Sequence, residues 1–88
     1  MCTRIGTKVG IAGSAKAAGS WSRVNEVMLG YDHATQTWAE HALRVDFVNT
    51  GTPGADPVAI EMDLASGRAL VAQLQEVIAL AEASGVAE

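Results

Sequence analysis

Two histidines, one cysteine and a few acidic residues are the side chains of this chain best suited to chemistry. His33 and His41 are the only histidines, and Cys2 is the only cysteine. Neutral imidazole, thiolate and carboxylate are the usual ligands of zinc and similar divalent transition metals, so Cys2, His33 and His41 are candidate metal ligands. No HxH, CxxC or HExxH spacing occurs. The same histidines suit acid–base work, because imidazole titrates near neutrality and a neighbouring carboxylate such as Asp32 can orient it. His33, His41, Tyr31 and Asp32 are the candidate catalytic residues on that reading. A third reading has no chemistry: His33 and His41 are a hydrogen-bonded pair closing a hairpin.

The elements that would position these residues follow from hydrophobic periodicity. Residues 3–11 alternate, with Ile5, Val9 and Ile11 on one face and Arg4 and Lys8 on the other. Residues 12–20, AGSAKAAGS, are small and flexible and are expected to form a loop. Alternation returns over 21–31, with Val27, Leu29 and Tyr31 on one face. After a loop at 34–39, Leu43, Val45 and Phe47 alternate with Arg44 and Asp46. The turn-rich run NTGTPGADP at 49–57 precedes a short strand with Val58, Ile60 and Met62. The period then becomes helical. Asp63 is the expected N-cap, and Leu70, Leu74, Val77, Ile78 and Ala81 form one apolar stripe. Gly85 is the expected C-terminal stop.

The expected fold is α+β: a four-stranded antiparallel β-meander with one C-terminal α-helix packed on one face (ββββα), residues 1–88 forming a single domain. The helix stripe is expected to cover the sheet face carrying Ile5, Val9, Leu29, Val45, Phe47 and Ile60. The back face then carries Val24, Met28, Ala42, Val48 and Ala59 among Glu26, Arg44, Asp46 and Glu61. That mixed face is the expected homodimer surface, and Arg44 and Glu61 are expected charge partners on it. Trp21 and Trp38 are expected to pack.

Register is tightly specified, because a slip of one residue turns every side chain to the other face. Val27 opposite Phe47 places Leu29 opposite Val45, Tyr31 opposite Leu43, and His33 opposite His41. The antiparallel order also brings Cys2, Glu40 and Asp63 to this end of the sheet.

Composition narrows the classes. The chain has 88 residues, 49% hydrophobic and 18% charged, with a net charge of -4. Its six basic residues are scattered, which argues against nucleic acid or an anionic membrane as partner. The first twenty residues lack the apolar core of a signal peptide, and no run is long enough to span a bilayer. A lone thiol fits a reducing compartment, so a cytoplasmic protein is expected. The segment Gly13-Ser14-Ala15-Lys16 lacks the GxxxxGK[ST] pattern of a phosphate loop.

Met1-Cys2-Thr3, Gly13-Ser14 with Lys16 and Trp21, Tyr31-Asp32-His33, and Ala39-Glu40-His41 with Leu43, Asp46-Phe47 and Asn49 together resemble an uncharacterised family of small bacterial proteins. These begin Met-Cys-Thr and carry a DH…AEHxLxxDFxN core. The chain departs from that pattern at Ala15, Ala17 and Thr50. The resemblance implies no activity and carries over no site residue, but its motifs contain Cys2, His33 and His41.

The functional expectation is a small metal- or small-ligand-binding protein with its site at the Cys2/His33/His41 edge and a zinc-like ion as cofactor. The alternatives are a small lyase, isomerase or cyclase using a histidine as general base, or a dimeric interaction module. The module would bind through Met28, Val48 and Trp21.

Overall fold

Alternating β-branched and small residues pair along most of the chain. The computed structural model describes residues 3–52 and 54–86, and five elements run in chain order: β1 (Ile5–Ala17), β2 (Ser20–His33), β3 (His41–Val48), β4 (Val58–Met62) and α1 (Leu64–Ala83). The strands form one antiparallel sheet in the order β1-β2-β3-β4, followed by the helix, as the alternation predicts.

The expected loop at 12–20 is instead strand. Gly13 to Ala17 pair with Val24 to Ser20, so Gly13-Ser14-Ala15-Lys16 lies within β1 and cannot cradle a phosphate. The turn has only two residues, Ala18 (φ 51°) and Gly19 (φ 82°). Positive φ at both central positions is the mark of the hairpin turn whose twist matches that of paired strands. Small side chains do not forbid pairing, because the ladder is made by backbone groups. Between Gly10 and Gly13 the register shifts, with two residues of β1 facing Asn25 alone. This bulge reverses the face to which β1 side chains point.

The β2–β3 register is the predicted one, from Glu26 opposite Val48 to His33 opposite His41. Leu43, Val45 and Phe47 then face Met62, Ile60 and Val58. Ile5, Thr7 and Val9 face Tyr31, Leu29 and Val27. The front positions just named carry no charged residue; Arg23 and Lys16 lie on the same face only towards the β1–β2 hairpin. Trp21 shares the parity of Val27 and lies on the front, not on the back face with Met28 and Val48. Neither tryptophan packs: Trp21 is 67% and Trp38 85% exposed.

Among the described residues, the buried hydrophobic ones are Val24, Val27 and Ala42. Two of the three, Val24 and Ala42, are on the back face rather than beneath the helix. The helix begins as predicted, with Asp63 Oδ1 accepting the Ser66 N–H at 2.7 Å. At its end Ser84 N–H donates to Leu80 O at 3.0 Å and Gly85 follows with φ 77°. The helix reaches the front face only at its start. Gly67 is its one buried residue. A Cβ there would meet Leu43 Cδ1, the mobile end of that side chain, so a side chain larger than a methyl would wedge the two elements apart. Beyond that contact the stripe diverges from the sheet, and Leu74 and Ile78 stay 53% and 55% exposed. The expected full cover of the sheet by the helix is therefore not made within one chain. Between the two elements lies an open apolar cleft of about 510 Å³.

Candidate functional site

The histidine edge is set by backbone pairing. Ala34 N–H donates to Glu40 O at 3.1 Å. In an antiparallel ladder hydrogen-bonded and non-hydrogen-bonded pairs alternate, so the adjoining pair, His33 and His41, is of the closer, non-hydrogen-bonded kind. Their ring centroids are 4.5 Å apart with planes inclined by 30°. Tyr31, two residues back on the same face, stacks on His41 at 5.8 Å and 25°. The result is a row of three rings, Tyr31, His41 and His33, at one end of the front face.

The start of β1 reaches the same end. Thr3 Oγ–H donates to Tyr31 O, and Ile5 N–H donates back to Thr3 Oγ1 at 3.2 Å. Arg4, between them, has φ 58°, a left-handed conformation that lets the chain double back on Tyr31. Cys2, the residue before Thr3, lies outside the described residues. Asp32 Oδ1 accepts the His33 backbone N–H at 2.8 Å. Asp63 belongs to this end, but its carboxylate caps the helix. Hydrogen bonding from the Ser66 hydroxyl first, and then from its backbone N–H, holds it below the usual aspartate range. Glu40 contributes its backbone carbonyl to the loop closure. Among the described residues, no group of three or more His, Cys, Asp and Glu side chains is placed to hold a metal ion. The described residues bring together two imidazoles and no third side chain of that kind.

Glu61 is the residue that sequence reasoning assigned wrongly. It does lie opposite Arg44 in the β3–β4 register. Its carboxylate, however, turns to the loop between the histidines. Oε2 accepts from Thr35 N–H at 2.8 Å and from Thr35 Oγ–H at 2.9 Å. Oε1 accepts from Gln36 N–H at 2.9 Å and Thr37 N–H at 3.2 Å. These donors, the Thr35 backbone N–H first among them, hold the carboxyl at about 2, well below its ordinary 4.5. Arg44 pairs instead with Asp46, Nε to Oδ1 at 3.4 Å. Glu61 therefore fixes the loop whose two ends carry His33 and His41. Its partners are 24 to 26 residues away in sequence. No local pattern marks it. The only available signal was a carboxylate on a strand facing a loop rich in N–H donors.

Asn25 works in the same way at the other end of the sheet. Its amide accepts from Thr50 N–H and donates to Thr50 Oγ1, both at 2.9 Å, and so ties Thr50, just after β3, to the β-bulge.

The apolar cleft has Ile5, Leu29, Tyr31, Val45, Leu70 and Leu74 in its walls. Tyr31 is shared between the cleft and the ring row, whereas neither histidine lines the cleft. No helix among the described residues is long and apolar enough to cross a membrane.

No curated protein and no solved structure matches the chain. One family model does, over residues 1–87, nearly the whole sequence. This agrees with the expectation of an uncharacterised family. The chain belongs to the family of unknown function DUF6295.

Proposed function

We propose that this chain is a small ligand-binding protein whose site is the edge formed by Tyr31, His33 and His41, with a divalent transition metal such as zinc as the ligand the edge suits best. The observation that carries this reading is the close cross-strand imidazole pair, with ring centroids 4.5 Å apart. Zinc binds imidazole nitrogen at roughly 2.0–2.1 Å, so two histidines sharing an ion need nitrogens only a little over 3 Å apart. Small side-chain rotations from a 4.5 Å ring spacing reach that. Glu61 supports the imidazole pair indirectly, by holding the loop that joins the two histidine-bearing strands. Cys2 is the candidate third ligand, and water completes the set. The reading is of a cytoplasmic protein, because a single thiol serves as a ligand only where it stays reduced.

Elemental analysis of the purified, untagged chain by mass spectrometry tests this directly, together with calorimetric titration with zinc, nickel and copper ions. Near-stoichiometric metal is expected for the wild type. It is expected to vanish in a His33→Ala/His41→Ala double variant and to weaken in Cys2→Ala. A wild type that takes up none of these ions refutes the reading.

An enzyme using His33 or His41 as general base, with Tyr31 and Asp32 in support, ranks second. It is favoured by one observation, the apolar cleft that reaches Tyr31. It is disfavoured by the absence of both histidines from the cleft lining.

A further inference from the structure

The single chain leaves unusually much apolar surface uncovered. It exposes 6815 Å². A compact monomer of 9.1 kDa exposes about 4,900 Å² by the usual surface–mass scaling, roughly 1,900 Å² less. The radius of gyration is 14.8 Å, against about 12 Å for a compact domain of this length. The excess is not spread evenly. It concentrates on the helix stripe, around Leu74 and Ile78, and on the front of the sheet, where Ile5 is 63% and Val9 50% exposed.

We propose that the helix stripe and the front face of the sheet form a homodimer interface, in which the helix of each copy covers the uncovered front face of the other. Three observations select a second copy as the occupant. The first is shape. An exposed helix stripe is the natural cover for an exposed sheet face, and one chain carries both halves, so a two-fold pairing satisfies each with the other. The second is area. If both copies bury the excess, about 3,800 Å² is removed in all, within the range of roughly 2,000–5,000 Å² found for obligate homodimers. The third is charge. Over Ile5–Val9, Val27–Tyr31, Leu43–Phe47 and Val58–Met62 the front positions carry no charged residue, Lys16 and Arg23 lying on that face only at the far hairpin end, and the twenty-residue helix carries only Arg68, Glu76 and Glu82, none of them in the stripe. Two like surfaces therefore meet without repulsion. A membrane is the poorer occupant. Interfacial helices are rich in Lys and Arg on their polar face, whereas this helix has one basic residue against two acidic ones.

The proposal moves the dimer contact from the back face, where composition suggested it, to the front. It stands apart from the ligand reading: either holds if the other fails. The histidine edge lies at one end of the same face and would sit at the rim of the interface.

Analytical ultracentrifugation of the full chain across micromolar concentrations is expected to give a species of twice 9.1 kDa. Leu74→Glu and Val9→Glu are each expected to shift it to the monomer mass or to unfold the chain. Met28→Glu on the back face is expected to leave the dimer intact. Because an obligate dimer can unfold when split, the wild type supplies the deciding measurement. In a mixture of isotope-labelled and unlabelled chains, filtered NOEs are expected between helix methyls of Leu74 and Ile78 and sheet methyls of Val9 and Val45 on different copies. A wild-type monomer overturns the proposal, including one that retains a small apolar molecule in native mass spectrometry. So does a dimer without those NOEs, or one that Met28→Glu dissociates and Leu74→Glu does not.

Discussion

The loop between β2 and β3 and the junction between helix and sheet are built by opposite means. The loop has little apolar material, yet one carboxylate gathers Thr35, Gln36 and Thr37 and fixes it within the chain. The helix–sheet junction has abundant apolar material, yet one glycine contact at Gly67 and Leu43 is its buried anchor. Hydrogen bonds are short and directional, so a single well-placed acceptor completes its region. Apolar burial is proportional to area, so a helix that touches only at its start leaves most of its stabilisation unrealised. The loop is complete in one copy, and the junction asks for more surface.

The comparison is broken most severely at the junction. Gly67→Leu inserts a branched side chain where even a Cβ meets Leu43, and it is expected to destabilise by about 1–3 kcal/mol in urea unfolding. Gly67→Ala sharpens the point. Leu43 Cδ1 is the mobile end of its side chain, and alanine favours helix by about 1 kcal/mol over glycine, so a net change near zero is expected. A large loss in Gly67→Ala would show that Leu43 cannot yield.

At the loop, Glu61→Ala removes the acceptor of three backbone donors. Amide exchange at Thr35, Gln36 and Thr37 is expected to quicken on the order of tenfold or more, with little change in the β1–β2 hairpin. Unchanged protection there would mean that the loop holds itself. The same anchor responds to acid. Because folding lowers the Glu61 pKa from 4.5 to about 2, its contribution is complete above the unfolded value and is lost as pH falls through that window. Loop protection, with exchange rates taken relative to the intrinsic unfolded-chain rate at each pH, is expected to fall from pH 5 downwards for wild type and to show no such step for Glu61→Gln.

Smaller effects belong to the ends of elements. Asp63→Ala is expected to lower the thermal midpoint, whereas Asp63→Asn, which keeps an acceptor for the Ser66 N–H, is expected to retain most of it. Equal losses in the two variants would point to charge rather than the cap bond. Ala18→Asn is expected to raise stability slightly, by roughly 0.5–1 kcal/mol, because asparagine tolerates the positive φ that alanine resists. A lower thermal midpoint would indicate that Ala18 is held by contacts rather than by turn geometry.

Alternation at Leu43, Val45 and Phe47 determined the register of the central strands by itself, since any slip would have exposed the apolar set. That register placed His33 opposite His41, and the change of period after Asp63 placed the helix and its cap. The tertiary structure decided the rest. Small residues 13–17 read as loop because they carry no apolar pattern, yet their backbone pairs in a ladder that sequence periodicity cannot register. Glu61 chose the loop over Arg44 because backbone donors brought close by the fold offered better geometry than a flexible cation across the sheet. The angle at which the helix leaves the sheet is set where Gly67 closes on Leu43 and by what covers the stripe beyond it. Periodicity shows that a face must be buried, but only three-dimensional packing shows that one chain's sheet leaves it open.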